Sequence, residues 1–278
     1  MNELERIHRA IDVRFGTTIP VDPAQPGLDM LALLLEQCSH RKWKPQAVPD
    51  ELLRLLFACA LAAPSKSDLQ QGGIVHVTDK QIRDQIVDLI PDMQWIREAP
   101  VFLVFCANNR RQRQLAQWRG KPFPNDHLDA YMNATVDAAI VMTTFVHAAA
   151  AAGLGCCAIS AVRDDAKRVS ELLALPEWVY PICGMCVGYP VFGNRITPRL
   201  PLADTVHTNR FGETDVAAKI DAYDRRRDSL RPYGKQRYVE RYGKAEFYGW
   251  SEDKARQYAV PERADFGEFI RGKGFKLG

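Results

Sequence analysis

The chain has 278 residues, enough to bury a sizeable core as one large domain with extensions. Hydrophobic residues make up 46% and charged residues 26%, which excludes a wholly disordered chain, and a formal net charge of +3 is too small to point to nucleic acid by itself. Seven cysteines, odd in number and scattered through apolar stretches, argue against a disulfide framework and read as buried small hydrophobes in a reducing compartment.

The opening stretch MNELERIHRAIDVRF carries acids and bases at helical spacing and lacks the apolar core of a secretory signal, so a helix over residues 2–14 and a cytoplasmic location are expected. The proline-rich connector GTTIPVDPAQPG separates it from a second helix over 28–38, and residues 1–36 read as an N-terminal helical extension. From Pro49 a helix runs to about Ala62 and stops at Ala63-Pro64-Ser65, because a proline ring pushes the preceding residue out of the α region and has no N–H for the ladder. GIVHVTD at 73–79 alternates like a strand, KQIRDQIVDLI at 80–90 restores helical spacing, and APVFLVFCAN at 99–108 is the continuous apolar run of a buried strand.

The most apolar segment, from Leu128 through Gly155, reads as one long helix closed by glycines. Asp129, Asn133, Asp137 and His147 interrupt it, so no unbroken span of about 20 apolar residues survives to cross a membrane. A helix apolar nearly all round calls for burial in a large core or a subunit interface, where His147 would be a hydrogen-bonded core or interface residue. GCCAISAV then reads as a strand, RDDAKRVSELLAL as a helix with acids at its start, YPICGMCVGYP as another buried strand, and FGNRITPRLPLADTV at 192–206 as a loop. Cys183 and Cys186 have CxxC spacing, but residues three apart on a strand face opposite sides and no second pair accompanies them, so no metal is expected. The tail, with YDRRRDSLRPYGKQRYVERYGKAEFYGW, has too few core residues for a domain and reads as an arm over 207–278 packed on a partner subunit. Its interleaved arginines and tyrosines also suit nucleic acid, although acids punctuate the run.

Ser39 and Arg41 precede the helix that starts at Pro49, and Ser65 and Ser67 follow it. Hydroxyls and a guanidinium at both ends of one helix suit the oxygens of a phosphate and a polyol, although such residues are also ordinary caps and turns. His40, His127 and Asp68 each read as structural, and no catalytic acid or base is nominated.

The order of these pieces resembles the FMN-dependent nitroreductase family, in its branch of oxygen-insensitive nitroreductases and flavin reductases. The resemblance covers residues 37–206: Cys38-Ser39-His40-Arg41-Lys42-Trp43-Lys44-Pro45 with Val48-Pro49, Ala63-Pro64-Ser65 through Gln70, the alanine-rich helix, Gly153-Leu154-Gly155, then CGMCVGYP and TPRLP. It implies an α+β fold of α/β content: a central mixed sheet flanked by helices, in an intertwined homodimer with an extended C-terminal arm. By the same resemblance FMN would lie with its phosphate against Arg41 and Arg199, aided by Ser39 and the neighbouring backbone of Cys38 and His40. Ser65 and Ser67 would approach the ribityl chain or ring edge, Ala158, Ile159, Ser160 and Ala161 would cover one ring face, and Gln94 would stand near the ring.

Cys38 and Thr197 depart from the pattern, standing where the family carries an arginine and a lysine; Lys42, Lys44 or a tail arginine are the candidates to replace them. The tail fits the best-known members poorly. The implied reaction is hydride transfer from NADH or NADPH through FMN to an electron-poor aromatic or quinone-like acceptor (nitroaromatic, quinone or flavin) in a ping-pong cycle, the flavin carrying the chemistry. Reductive dehalogenation, ene reduction and supply of reduced flavin to a monooxygenase remain open on the same fold.

Overall fold

A computed structural model describes residues 1–191 and 196–278, so 192–195 of the expected loop lie outside the described residues. In chain order, α1 (Glu3–Phe15) starts at a capping box between Asn2 and Glu5 and closes at Gly16, whose φ of 65° is the left-handed value glycine adopts freely. After α2 (Leu28–Glu36) and α3 (Asp50–Leu61) comes β1 (Gly72–His76), shorter than its alternation predicts. Asp79 is the reason: its carboxylate caps α4 (Lys80–Asp88) by accepting from the N–H groups of Gln81 and Ile82, which takes it out of the strand. The remaining elements are β2 (Val101–Asn108), α5 (Arg110–Trp118), α6 (Leu128–Ala151), β3 (Gly155–Ile159), α7 (Ala166–Leu172), β4 (Val179–Gly188), α8 (Leu202–Thr205), α9 (Val216–Leu230), α10 (Val239–Tyr242), α11 (Trp250–Tyr258) and α12 (Phe266–Gly272). The expected strand after Gly155 ends at Ile159 and turns into a 3-10 segment, Ser160–Arg163.

These elements form two compact units, Met1–Cys38 with Asn194–Glu262, and Ser39–Gly193 with Arg263–Gly278. The second unit holds a four-stranded sheet in the order β1-β2-β4-β3. All three pairings are antiparallel, so the mixed character expected of the sheet is not carried by pairs within one chain. Opposite β2 the register slips between Phe105, paired with Cys183, and Cys106, paired with Pro181; the bulge falls beside the residue that cannot donate to the ladder.

Both faces of β2 are covered, which is why its sequence is apolar without alternation. Phe102, Val104 and Cys106 pack with Ile86, Val87 and Ile96 on one side; Val101, Leu103 and Phe105 pack with Leu53, Leu56 and Phe145 of α3 and α6 on the other. By length and composition α6 could cross a membrane, yet in the fold it is the central helix, with Ala134, Ala138, Val141, Phe145 and Ala149 turned inward. Its other face is exposed at Leu128, Met132 and Val136. The last segment belongs to this core as well: Ile270 and Phe275 pack with Tyr180, Ala134 and Ala138 of their own chain.

In the first unit Ile7, Ile11 and Ala32 join α1 to α2, and Tyr223 meets the Trp250 ring edge-on at 5.4 Å to join α9 to α11. The expected arm over 207–278 is thus divided, with 207–262 here and the rest on the sheet. Its basic and aromatic residues are largely turned on each other. Arg227 lies 4.0 Å over Tyr233, Arg256 lies 5.3 Å over Tyr248, and buried Asp253 accepts from Arg237 at 3.1 Å and from the Tyr248 hydroxyl at 3.0 Å.

Candidate active site

Residues 39–44 run beside β3 as an added edge. The His40 N–H donates to the Cys156 carbonyl at 2.9 Å, the Trp43 indole to that of Gly155 at 3.2 Å, and the Lys44 N–H to that of Tyr189 at 2.8 Å. The approach is close because Gly155 has no side chain: a Cβ there would stand 2.6 Å from His40 Cγ. With His40 and Trp43 turned inward, Ser39 and Arg41 are exposed. The Arg41 guanidinium lies 6.0 Å over the Trp95 ring, itself 5.9 Å from Trp43. Burial pushes the neighbouring Cys157 thiol up, opposed by the Arg41 charge and a hydrogen bond with Ser39.

On β3 and the segment after it, Ala158 and Ser160 are exposed while Ile159 and Ala161 are buried in the core. Gln94 is exposed with its amide directed to the Val87 and Ile90 carbonyls at 3.3 and 3.4 Å, and its oxygen accepts from Arg97 at 3.1 Å. Trp95, next along the chain, is the residue of that stretch that stands beside Arg41.

The second group of expected residues lies in the loop from Ala63 to Gln71. Ser67, Asp68 and Gln70 have φ of 49°, 56° and 52°, the left-handed region that costs a non-glycine residue about 1 kcal/mol or more. What holds them there is Asp137, 1% exposed on α6, whose carboxylate accepts from the backbone N–H of Lys66 at 2.9 Å and of Gln71 at 3.2 Å. Arg111 donates to the Gln70 carbonyl at 2.5 Å and Gln112 to that of Leu69 at 2.6 Å, while the Ser65 hydroxyl accepts from the Gln70 N–H at 3.3 Å. The Ser67 hydroxyl is exposed and makes no hydrogen bond to any described residue. A cavity of about 390 Å³ opens beside this loop, lined by Phe57, Ser65, Gln70, His76 and Arg111 with Asp137 below. Burial lowers the His76 pKa, with Asp50 opposing, so this wall presents a neutral imidazole at pH 7.

These two groups do not meet within one chain. The loop feeds into β1 at Gly72, whose level on β4 is Tyr180, whereas Ala158 on β3 pairs with Met185. Three inter-strand spacings and four residues of rise put those points roughly 20 Å apart, at diagonally opposite corners of the sheet.

In the first unit, exposed Arg199 donates to the carbonyls of Thr197 at 3.4 Å and Pro198 at 3.2 Å. The two positions that depart from the family pattern each have an arginine beside them. Arg231 donates to the Thr197 hydroxyl at 2.8 Å, and the buried Arg14 is bonded to the carbonyls of Leu35, Thr197 and Gln37, the residue before Cys38. No periodicity pointed to Asp137, Trp95 or Arg231; their partners are remote in sequence.

All seven cysteines are free, and the described residues contain no group of three or more His, Cys, Asp or Glu side chains placed to hold a metal ion. The donor set instead suits FMN: exposed hydroxyls and guanidinium groups for a phosphate and a polyol, and small exposed side chains at Ala158 and Ser160 that let a flat ring approach β3.

The sequence profile of the nitroreductase family matches residues 35–189, and the profile of that family's C-terminal domain matches 197–278, so the tail is itself a family feature. Among curated proteins the chain is 31% identical over 252 residues to an FMN reductase [NAD(P)H] of Bacillus subtilis, covering 90% of this chain and 98% of that one. It is 29% identical to the NADPH-flavin oxidoreductase of Vibrio harveyi, covering 87% and 95%. Among solved structures, NfrA2 of B. megaterium superposes with a TM-score of 0.80 at 29% identity, covering 90% of this chain and 99% of that one. The NADPH:FMN oxidoreductase of Vibrio harveyi in complex with NAD+ superposes with a TM-score of 0.76 at 28% identity, covering 88% and 98%. The chain therefore belongs to the nitroreductase family.

Proposed function

We propose that the protein is a homodimeric FMN-dependent oxidoreductase that moves a hydride from NADH or NADPH to an electron-poor acceptor, a nitroaromatic, a quinone or a flavin, in a ping-pong cycle. One observation carries the reading: flavin-type donors form two exposed groups, around Arg41 and around Ser67, at opposite corners of one chain's sheet, an arrangement that a second copy completes. Exposed Leu55 and Leu61 on α3, and Leu128, Met132 and Val136 on α6, supply the apolar surface such a copy would cover.

Bound FMN supplies the hydride chemistry, and the chain supplies position, dryness and charge. Arg41 and Ser39 serve as donors to phosphate and polyol oxygens, with the backbone of Cys38 and His40 beside them. Arg199 serves as a phosphate-side cation in its own unit. Ser67 offers a hydroxyl that no described residue uses, while Ser65 shapes the loop that presents it. Ala158 and Ser160 face the ring; Ile159 and Ala161, being buried, contribute backbone only. Gln94 is the weakest member of the set, since α4 and Arg97 already engage its amide. The free thiols suit a reducing, cytoplasmic setting.

Purified protein should be yellow and bleach anaerobically with NAD(P)H, sediment as a dimer, and give parallel double-reciprocal plots. Arg41→Ala and Arg199→Ala should each lose flavin on gel filtration with the fold intact; full occupancy in both removes the phosphate assignment. An acceptor screen by stopped flow decides between nitroaromatics, quinones and flavin, and the other reductions open to this fold. A colourless protein with salt-sensitive RNA binding would instead revive the nucleic-acid reading, against which stands the stacking of the tail's arginines on its own tyrosines.

A further inference from the structure

Beneath the Ala63–Gln71 loop, within the second unit, three buried polar side chains lie in line. Asp137, Gln71 and Asn109 are 1%, 0% and 3% exposed, although Ala107, Ala134 and Ala138, close to them in sequence, belong to the apolar core. Every donor along the line points the same way. The Arg113 Nε–H donates to Asn109 Oδ1 at 3.2 Å, the Asn109 amide to Gln71 Oε1 at 2.8 Å, and the Gln71 amide to Asp137 Oδ2 at 3.5 Å. Two neutral amides thus join a guanidinium to a carboxylate head to tail, and turning either amide over would set like atoms against each other. The Gln71 main-chain N–H reaches the same Asp137 oxygen at 3.2 Å, so one residue holds that oxygen with two donors.

The ends of the line are anchored. Arg113 donates to Asp126 at 2.6 Å and lies 4.8 Å over Trp178 and 4.9 Å over Phe123, while Lys276 pairs with the other Asp126 oxygen at 3.1 Å. The Asn109 N–H donates to the Trp178 carbonyl at 3.0 Å, and the Asn108 N–H to the Gln71 carbonyl at 2.8 Å. On the loop side Asp137 accepts the Lys66 N–H at 2.9 Å. A buried amide destabilises a fold unless its partners are in place, and once they are it specifies one arrangement. The arrangement specified here is the loop in which Ser67, Asp68 and Gln70 stand at positive φ.

We propose that Gln71 and Asn109 are positioning residues for the flavin reaction, fixing through Asp137 the loop that presents the Ser67 hydroxyl. The proposal rests on the flavin reading above and adds to it two residues that act from within the core. Apolar side chains of similar size would fill the same space; the amides are needed to orient the carboxylate.

The test compares stability with flavin affinity in the full-length protein stripped of bound flavin. Melting midpoints are taken without flavin, and FMN and riboflavin are titrated by fluorescence quenching. Gln71→Met keeps the length of the side chain and removes its polar atoms. It should lower the midpoint, because the Asn109 amide loses its acceptor. It should also weaken FMN and riboflavin alike, since the loop is expected at the ribityl chain or ring edge, by about fivefold, the low end for coupling between a remote group and a site. Adding Asn109→Leu removes the orphaned donor, so part of the midpoint should return while both affinities stay low. Flavin affinity unchanged in Gln71→Met, or returning with the midpoint in the double variant, would overturn the proposal, as would a loss confined to FMN. If Gln71→Met is recovered unfolded, the double variant decides: weakened flavin supports the proposal and wild-type affinity overturns it. Wild-type protein that binds neither flavin would remove the flavin reading together with this proposal, whereas normal wild-type binding with indifferent variants removes this proposal alone.

Discussion

Replacing Asp137 by asparagine changes almost no volume and removes one of the two oxygens that hold the Ala63–Gln71 loop. The carboxylate accepts the Lys66 N–H at 2.9 Å on one oxygen and the Gln71 N–H at 3.2 Å on the other. In the amide one of these N–H groups faces an NH₂ instead of an acceptor. A hydrogen bond to a charged group contributes about 1.5–3 kcal/mol, so the loss should be about 2–3 kcal/mol. At roughly 2–4 °C per kcal/mol for a chain of this size, the unfolding midpoint should fall by about 5–10 °C. Circular dichroism melting gives the midpoint, and hydrogen exchange at Lys66 and Gln71 reports the loop itself. Asp137→Ala should cost more, about 3–5 kcal/mol, because both buried donors lose their partner. An asparagine variant that melts with the wild type and exchanges no faster at those two amides would refute the claim that Asp137 offsets the strain of Ser67, Asp68 and Gln70.

The left-handed backbone at Ser67 gives a prediction of opposite sign: Ser67→Gly should stabilise by about 0.5–1 kcal/mol and Ser67→Val should destabilise, while both weaken FMN if the hydroxyl is a ligand. Gly155→Ala should lose roughly 1–3 kcal/mol by driving a methyl into the His40 ring, and His40→Ala in the same chain should restore most of it. A neutral Gly155→Ala would mean that the ring can move aside. Burial holds the thiols of Cys106 and Cys156 up to about 12 and that of Cys183 up to about 11, whereas an unfolded thiol ionises near 8.5. Their stabilisation is therefore complete below the unfolded value and lost as pH rises from there toward the folded values, by about 1.4 kcal/mol per pH unit per thiol. Urea midpoints that stay flat to pH 10.5 would contradict this, as would native-state alkylation at pH 8 of any of these three before exposed Cys59.

Most of the fold was legible because its signals are local. The helical spacing of charges over residues 2–14, the continuous apolar run of β2 and the proline stop at Pro64 act within a few residues of where they stand. Boundaries failed where a side chain had two possible employments: Asp79 fits an alternating strand but caps α4, and GCCAISAV stops being a strand at Ser160. The helix α5 carries no sequence signal, because RRQRQLAQW has too few apolar residues to show a stripe. At the candidate site, residue types were readable and partnerships were not. Ser39 and Arg41 read as donors at one end of α3, and only the fold lays their segment beside β3; Asp137 reads as an interruption of an apolar helix, since the amides it holds are more than sixty residues away. Gln94 is the residue expected near the ring, yet the fold turns its amide toward α4 and sets the next residue, Trp95, beside Arg41.

Anaerobic spectroscopy of the full-length protein purified with excess FMN puts the whole reading at risk in one cuvette. Retained flavin should lose its visible absorption on addition of NADPH or NADH and regain it when a quinone or nitroaromatic is supplied. A protein that emerges colourless after such loading, or whose bound flavin stays oxidised in the presence of both nicotinamides, would contradict it.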